Sequence, residues 1–555
     1  MVYKSAVFVV IIVLLACSPV QKLGVRQHNV TTQPFAWESS TIYFLIPDRF
    51  YNSDPSNDFK HSDTAPPAPL RGFMGGDIKG ITKKIKEGYF TQLGVDAIWT
   101  TPLVQNIDGY VDEGTGTSYP FHGYWTKDWT TVDSRLGTRE DLREMVKAAH
   151  EKGIKVILDV VINHTGPVTS ADAKWPDDWV RTEPRCTYQN YKTTTACTLV
   201  DNLPDILTES TTEVGLPPQL AEKWKKEGRY EQEMASLDAF FKRTGYPRIP
   251  YFYIIKWLTD WIEEFKVDGY RVDTAKHLEE QVWKYLREEA DFRFKKAKKQ
   301  APLEYPENNH FFMFGEVYGY NLHHGRWYDF GDKKVDYYDF GFDALINFGH
   351  KYDAKESDGK AFFSKYDKML HDGPMEGFTT VHYLSSHDDG EPFDKERTRS
   401  FESATKMLLS QGAVQIYYGD EVGRTLQAAA DGDAKLRSPM EWEKHQQNNQ
   451  MLLLDHWQKL GQFRKANPAV GGGRHHDISE NPYVFARTYK SGSYTNKVVI
   501  GVDLPMGKKT IPVAGYFEDG ESVYDYYSKT FVRVIDGKVS TDNPFSMVLL
   551  GPKRR

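Results

Sequence analysis

Gly153-Ile154-Lys155-Val156-Ile157-Leu158-Asp159-Val160-Val161 is an almost continuous apolar run. Such a run suits a strand buried on both faces, as in a parallel sheet covered by helices. A helix reads directly before it. Thr138 is its N-cap with Asp141 three residues on, Leu142, Met145, Val146 and Ala149 follow at helical spacing, and Gly153 ends it. Upstream, Thr41–Ile46 and Gly94–Thr100 read as strands, with a helical stretch over 80–92 between them. Downstream the pattern resumes with helix 250–265, strands 266–273, 311–317 and 379–384, helix 401–410 and strand 412–418. This alternation predicts an α/β fold with parallel strands. Residues 165–245 interrupt it with polar sequence too long for a βα loop, which usually has ~2–6 residues, and read as a small inserted domain. After 467, short Val-, Tyr- and Ile-rich segments with Gly-containing turns predict an antiparallel β domain.

The chain has 555 residues, 40% hydrophobic and 26% charged, enough for a large core and more than one domain. A net charge of −7 argues against nucleic-acid binding, which needs a basic face. Most of the aromatic residues belong in the core. Their 14% share also leans toward glycans, whose C–H faces stack on rings.

At the N-terminus, Lys4 precedes an apolar run from Ala6 to Ala16, shorter than the ~20 residues of a membrane span and suited to a signal peptide. Leu14-Leu15-Ala16-Cys17-Ser18 resembles the bacterial lipoprotein cleavage box, in which the Cys is lipidated; the alternative is an ordinary signal peptide with an incidental Cys. Lipidation implies export and anchoring, in a Gram-negative host at the outer membrane or periplasmic side, with no other membrane contact. Residues 18–36 read as a polar tether. In the oxidising compartment that export implies, Cys186 and Cys197 suggest one local disulfide; the alternative is two free buried thiols.

Polar residues recur at strand C-terminal ends, the face that carries the active site in a (β/α)8 barrel. Asp159 and His164 flank one strand end, Arg271 and Asp273 share one face of the next, Glu316 ends another, and His387-Asp388 follow a fourth. Singly, such residues often cap helices or pair with arginines. Jointly they are what glycoside cleavage needs: one carboxylate to attack, one carboxylic acid to protonate the leaving oxygen, and others to fix the sugar.

DVVINH (159–164), GYRVDTAKH (269–277), FGEVYG (314–319) and YLSSHD (383–388), in this order, resemble the conserved regions of glycoside hydrolase family 13, the α-amylase family. FHGYW (121–125), LPDI (203–206) and GAVQIYYGDE (412–421) match further landmarks, and the likeness extends over 37–466. The resemblance implies a (β/α)8 TIM barrel over 37–164 and 246–466, the inserted domain after the third strand, and a C-terminal antiparallel β-sandwich over 467–555. It implies a retaining enzyme acting on starch and maltooligosaccharides, read as an endo-acting monomer.

Residue by residue, the resemblance makes Asp273 the nucleophile, Glu316 the general acid/base and Asp388 the transition-state stabiliser. Arg271 keeps Asp273 ionised. Tyr124, His164 and His387 line the subsite of the reacting glucose, and Lys276 and His277 form the aglycone-side pair. Asn163, Asp205 and the His277 carbonyl match the family's calcium site, where hard oxygen ligands suit the ion. Asn52, Asp54, Asn57, Asp58, Gly75 and Asp77 resemble a second calcium loop of bacterial members; the alternative is an ordinary Asx-rich turn.

Relatives with other activities are expected to differ. Cyclodextrin glucanotransferases are expected to carry two further C-terminal domains where this chain has room for one. Neopullulanases are expected to begin with a long β domain, and oligo-1,6-glucosidases to lack the Lys276-His277 pair. Arg437-Ser438-Pro439-Met440-Glu441-Trp442 departs from the amylase pattern and resembles oligosaccharide-acting members. The presence of all three carboxylates argues against a catalytically dead glycan-binding protein on the same fold.

Overall fold

The computed structural model describes residues 33–300, 310–356 and 358–553; Cys17 and most of the tether lie outside them. Eight parallel strands close into a barrel: β1 (Thr41–Leu45), β2 (Ala97–Thr100), β3 (Lys155–Val160), β4 (Gly269–Val272), β5 (Phe312–Gly315), β6 (Ala344–Asn347), β7 (Val381–His382) and β8 (Ala413–Tyr417). Each strand pairs with its neighbours in sequence, and β8 closes on β1 with Thr41 opposite Val414. Every residue of β3 is buried, as its apolar run requires. Gly269 admits β5 closely, because a Cβ there would stand 2.3 Å from the Phe312 carbonyl oxygen.

Strand ends are shorter than the sequence pattern suggests. Lys266 adopts a left-handed φ of 65° that stops the helix Pro250–Phe265, so β4 begins only at Gly269. The stretch 80–92 divides at Gly88, φ 83°, into helices Ile78–Lys86 and Tyr89–Gln92. The helix Arg139–Glu151 carries the full capping box of Thr138 and Asp141, a device that contributes ~1 kcal/mol. β6 went unread because Ala-Leu-Ile-Asn is short and offers no period.

Between β3 and the helix Pro250–Phe265, the chain forms the short ladder Val180–Arg181 with Asp205–Ile206 and the helices Pro218–Lys226 and Tyr230–Thr244. Cys186 and Cys197 are joined by a disulfide. A tryptophan cluster seats this segment on the barrel: Trp179 and Trp224 lie 6.2 and 6.0 Å from Trp257, and Trp175 lies 5.5 Å from Trp129. Trp99, Trp129, Trp179, Trp224, Trp257, Trp283 and Trp457 are fully buried, so the tryptophan content is mainly a core property.

After the barrel, β9 (Arg474–Ser479), β10 (Val484–Ser491), β11 (Tyr494–Gly501), β12 (Gly507–Pro512), β13 (Ser522–Asp525), β14 (Thr530–Ile535), β15 (Lys538–Asn543) and β16 (Val548–Gly551) form an antiparallel sheet in the order 9-10-11-16-13-14-15-12. Strand alternation splits its side chains between two cores. Val484, Ala486, Val499, Val548 and Leu550 pack with Ile511, Val523, Val534 and Val539. Phe485, Val498, Ile500 and Leu549 join the barrel core instead. Among the described residues no helix is long and apolar enough to cross a membrane.

Candidate active site

Arg271, buried on β4, organises the C-terminal mouth of the barrel. Its Nη1 donates to both oxygens of Asp159 at 2.9 and 3.0 Å and to Asp273 Oδ1 at 2.7 Å. Its Nη2 lies 2.9 Å from Glu316 Oε2. The register of β4 against β3 and β5 makes this possible, since Arg271 stands opposite Asp159 on one side and Phe314, two residues before Glu316, on the other. Asp159 also accepts from Trp99 Nε1 at 3.1 Å and Tyr124 Oη at 2.9 Å. Thr274, held at a left-handed φ of 49°, donates its backbone N–H to Glu316 Oε2 at 3.1 Å. A β-branched residue rarely adopts that conformation, and here it brings a donor to a site carboxylate.

One guanidinium cannot neutralise three buried carboxylates. Burial raises Glu316 to about 8 against the opposing pull of Arg271, with Asp273 and Asp388 adding to the rise. Burial likewise raises Asp159 to about 7, opposed by Arg271. Burial alone would weaken the charge on Arg271, but Asp159, Glu316, Tyr124 and Asp273 hold it well above its ordinary value. Glu316 and Asp159 therefore keep a proton near neutrality, and Glu316 is its more favoured holder.

The other sequence-identified residues gather round it. His387 Nε2 lies 3.2 Å from Asp388 Oδ2, and the ring stacks on Tyr124 with centroids 5.4 Å apart. His164 Nε2 contacts the Tyr124 carbonyl at 3.1 Å. Burial lowers His164 and drives His387 well down, so both rings are neutral at pH 7. Lys276 Nζ donates to the Tyr318 carbonyl at 2.9 Å and Tyr328 Oη at 3.0 Å, and His277 Nδ1 contacts the Thr194 carbonyl at 3.0 Å. Arg437 is a member that the sequence reading left outside the site: its Nη2 donates to Asp388 Oδ1 at 2.8 Å and its Nε to the His387 carbonyl at 3.1 Å. The segment 437–442 had marked it, but only as a likeness to oligosaccharide-acting enzymes.

Asn163 and Asp205 are both buried. Ile206 N donates to the Asn163 carbonyl at 2.8 Å, and His164 and Asp205 form a β-bridge. Asn163 Oδ1 is buried with no hydrogen-bond partner among the described residues, while Arg181 Nε pairs with Asp205 Oδ2 at 2.7 Å. No group of three or more His, Cys, Asp or Glu residues is arranged to hold a metal among the described residues. A cation here would draw on amide and carbonyl oxygens besides Asp205. In the second cluster, Asn52 Nδ2 donates to Asp58 Oδ1 at 2.8 Å, and a Cβ on Gly75 (φ 84°) would strike both side chains at 2.5 and 2.6 Å. Asn57 Oδ1 is buried without a partner among the described residues. Asp77 caps the helix Ile78–Lys86, and Asp54 pairs with Lys79 at 2.5 Å.

Residues 44–473 match the family model for the alpha-amylase catalytic domain. The chain is 33% identical over 513 residues to the periplasmic alpha-amylase of Escherichia coli (strain K12), covering 81% of this chain and 70% of that one. It is 28% identical over 553 residues to a cyclomaltodextrin glucanotransferase of Geobacillus stearothermophilus, covering 94% and 68%. In fold it is similar, with a TM-score of 0.62 and 22% identity over 93% of this chain and 99% of the other, to a glucanotransferase described as the first with a three-domain ABC distribution. The chain belongs to the α-amylase family of glycoside hydrolases, and it is a glycosidase. The three-domain glucanotransferase corrects one expectation: room for a single domain after the barrel does not separate amylases from glucanotransferases.

Proposed function

We propose that the protein is an exported, retaining, endo-acting α-amylase that hydrolyses α-1,4-glucosidic bonds of starch and maltooligosaccharides. The observation that carries this reading is the single guanidinium of Arg271 holding Asp273 and Glu316 in one cluster. Retention needs the two carboxyls ~5–5.5 Å apart, and inversion needs ~6.5–9.5 Å. Two carboxyls sharing one guanidinium fork favour direct attack over an intervening water.

Asp273, fixed by Arg271, attacks the anomeric carbon. The bond to the leaving oxygen breaks as Glu316 gives that oxygen its proton. Glu316 Oε2 is already engaged by Thr274 N and Arg271 Nη2, so Oε1 carries the proton. Water then releases the sugar, with Glu316 as base. Asp388, steered by Arg437 and His387, binds sugar hydroxyls. Asn163 Oδ1, Asp205 and the His277 carbonyl would hold a calcium ion, which would tie the inserted segment to the barrel. Export rests on the N-terminal apolar run and on the periplasmic relative, and a lipid anchor rests on Cys17.

Proton NMR of fresh products from maltoheptaose should show the α-anomer first, and Glu316→Gln should lose starch cleavage yet keep the first step on α-glucosyl fluoride. An initial β-anomer would overturn the mechanism. A second reading, an oligosaccharide hydrolase or transglycosylase, is favoured by Arg437 on Asp388. Iodine staining that falls no faster than reducing ends appear would select the oligosaccharide hydrolase, and maltoheptaose converted to longer chains without new reducing ends would select the transglycosylase.

A further inference from the structure

A cavity of about 340 Å³ opens between the loops that follow β5, β6 and β7. Tyr318 forms its wall on the side of Glu316. Phe348 and Tyr352 come from the loop and short helix after β6, and Asp389 comes from the loop after β7. Tyr318 is 53% and Tyr352 48% exposed, and both line the same cavity. Both rings are braced. Tyr318 packs on Phe348 with centroids 5.0 Å apart, and Lys351 Nζ stands 4.6 Å over the Tyr352 ring. Lys351 in turn pairs with Asp389, which also accepts from Tyr383 Oη at 2.6 Å. Gly349 leaves room at the floor, where a Cβ would strike Asn321 at 2.5 Å.

The cavity adjoins the reacting centre. Tyr318 follows Glu316 by two residues and Asp389 follows Asp388 by one, and Tyr318 and Asp389 both line the cavity. The Tyr318 backbone carbonyl accepts from Lys276. A general acid must face the leaving oxygen, so a cavity that adjoins Glu316 through Tyr318 is placed to meet the leaving chain. Exposed rings beside an amide and carboxylates suit a pyranose, which offers apolar C–H faces and hydroxyls that both donate and accept.

We propose that Tyr352, with Asp389, forms a distal subsite for the leaving-group end of a long α-glucan, lengthening the cleft past Tyr318. This rests on Glu316 being the acid. One such stacking contact is expected to change affinity by roughly 3- to 10-fold, a tenfold change being ~1.4 kcal/mol. Remote binding of this sort is felt in kcat/KM only by chains long enough to reach it.

The test compares Tyr352→Ala and Tyr352→Trp with wild type on maltotriose and maltoheptaose. Tyr352→Ala should lower kcat/KM for maltoheptaose about 3- to 10-fold more than for maltotriose, and Tyr352→Trp should restore the ratio. Equal effects on both sugars in a protein of unchanged melting temperature overturn the subsite and leave the amylase reading intact. Failure of the wild type to cleave either sugar overturns both.

Discussion

The cluster around Arg271 and the Asx-rich loop at 52–77 are built from the same kind of carboxylate, and they end in different states. In the loop each carboxylate is satisfied close at hand. Asp77 Oδ2 accepts from the amides of Ser53 and Asp54 at 2.8 Å each, and its Oδ1 caps a helix through Gly80 N at 2.6 Å. Asp54 has Lys79. In the cleft, Asp159, Asp273 and Glu316 divide one guanidinium, and a proton must stay among them. Carboxylates supplied with private donors hold a loop in shape. Carboxylates crowded round one cation, out of water, keep a proton and a charge that chemistry can use.

Substitution should separate the two regions by orders of magnitude. Asp273→Ala should cut kcat by ~10⁴-fold or more on every α-glucan, since on the proposed mechanism it removes the attacking atom; a residual rate within tenfold of wild type would strip Asp273 of its role. Less drastic is the pH response. On the proposed mechanism Glu316 is the acid, and burial raises its pKa to about 8. Its proton is therefore kept below that pH and lost above it, so kcat/KM should fall on the alkaline side by roughly tenfold per pH unit. A rate still rising at pH 9 would contradict this.

Calcium, the expected third effect, tests the buried Asn163 oxygen. A ligand at a hundred times its Kd stabilises by ~2.7 kcal/mol. EDTA should lower the melting temperature of the wild type, and Asn163→Ala should abolish that response while Asp54→Ala preserves it. If Asn163→Ala still responds in full, the ion sits elsewhere. The smallest effect belongs to the loop: Asp77→Ala removes a helix cap and should cost ~1–2 kcal/mol in urea unfolding with kcat unchanged. A kcat loss matching that of the cleft variants would erase the contrast between the two regions.

The barrel was legible in the chain because strands buried on both faces favour apolar runs alternating with helices, and that alternation locates seven of its eight strands. The short β6 offered no period and was missed. The residue types of the site were legible too, since Asp273, Glu316 and Asp388 lie inside motifs that stay close to their strand ends. Their mutual arrangement was not. That Arg271 serves three carboxylates follows from the register of β4 between β3 and β5, and register is a property of pairing rather than of any one strand. Arg437 reaches Asp388 from 49 positions further along the chain, past a helix and β8. Asp77 resembles a metal ligand in sequence; that it also caps a helix through Gly80 and accepts from the Ser53 and Asp54 amides is decided only by the folded chain. Local sequence sets which groups are available; the closure of the barrel decides which of them must share a donor, and therefore which can react.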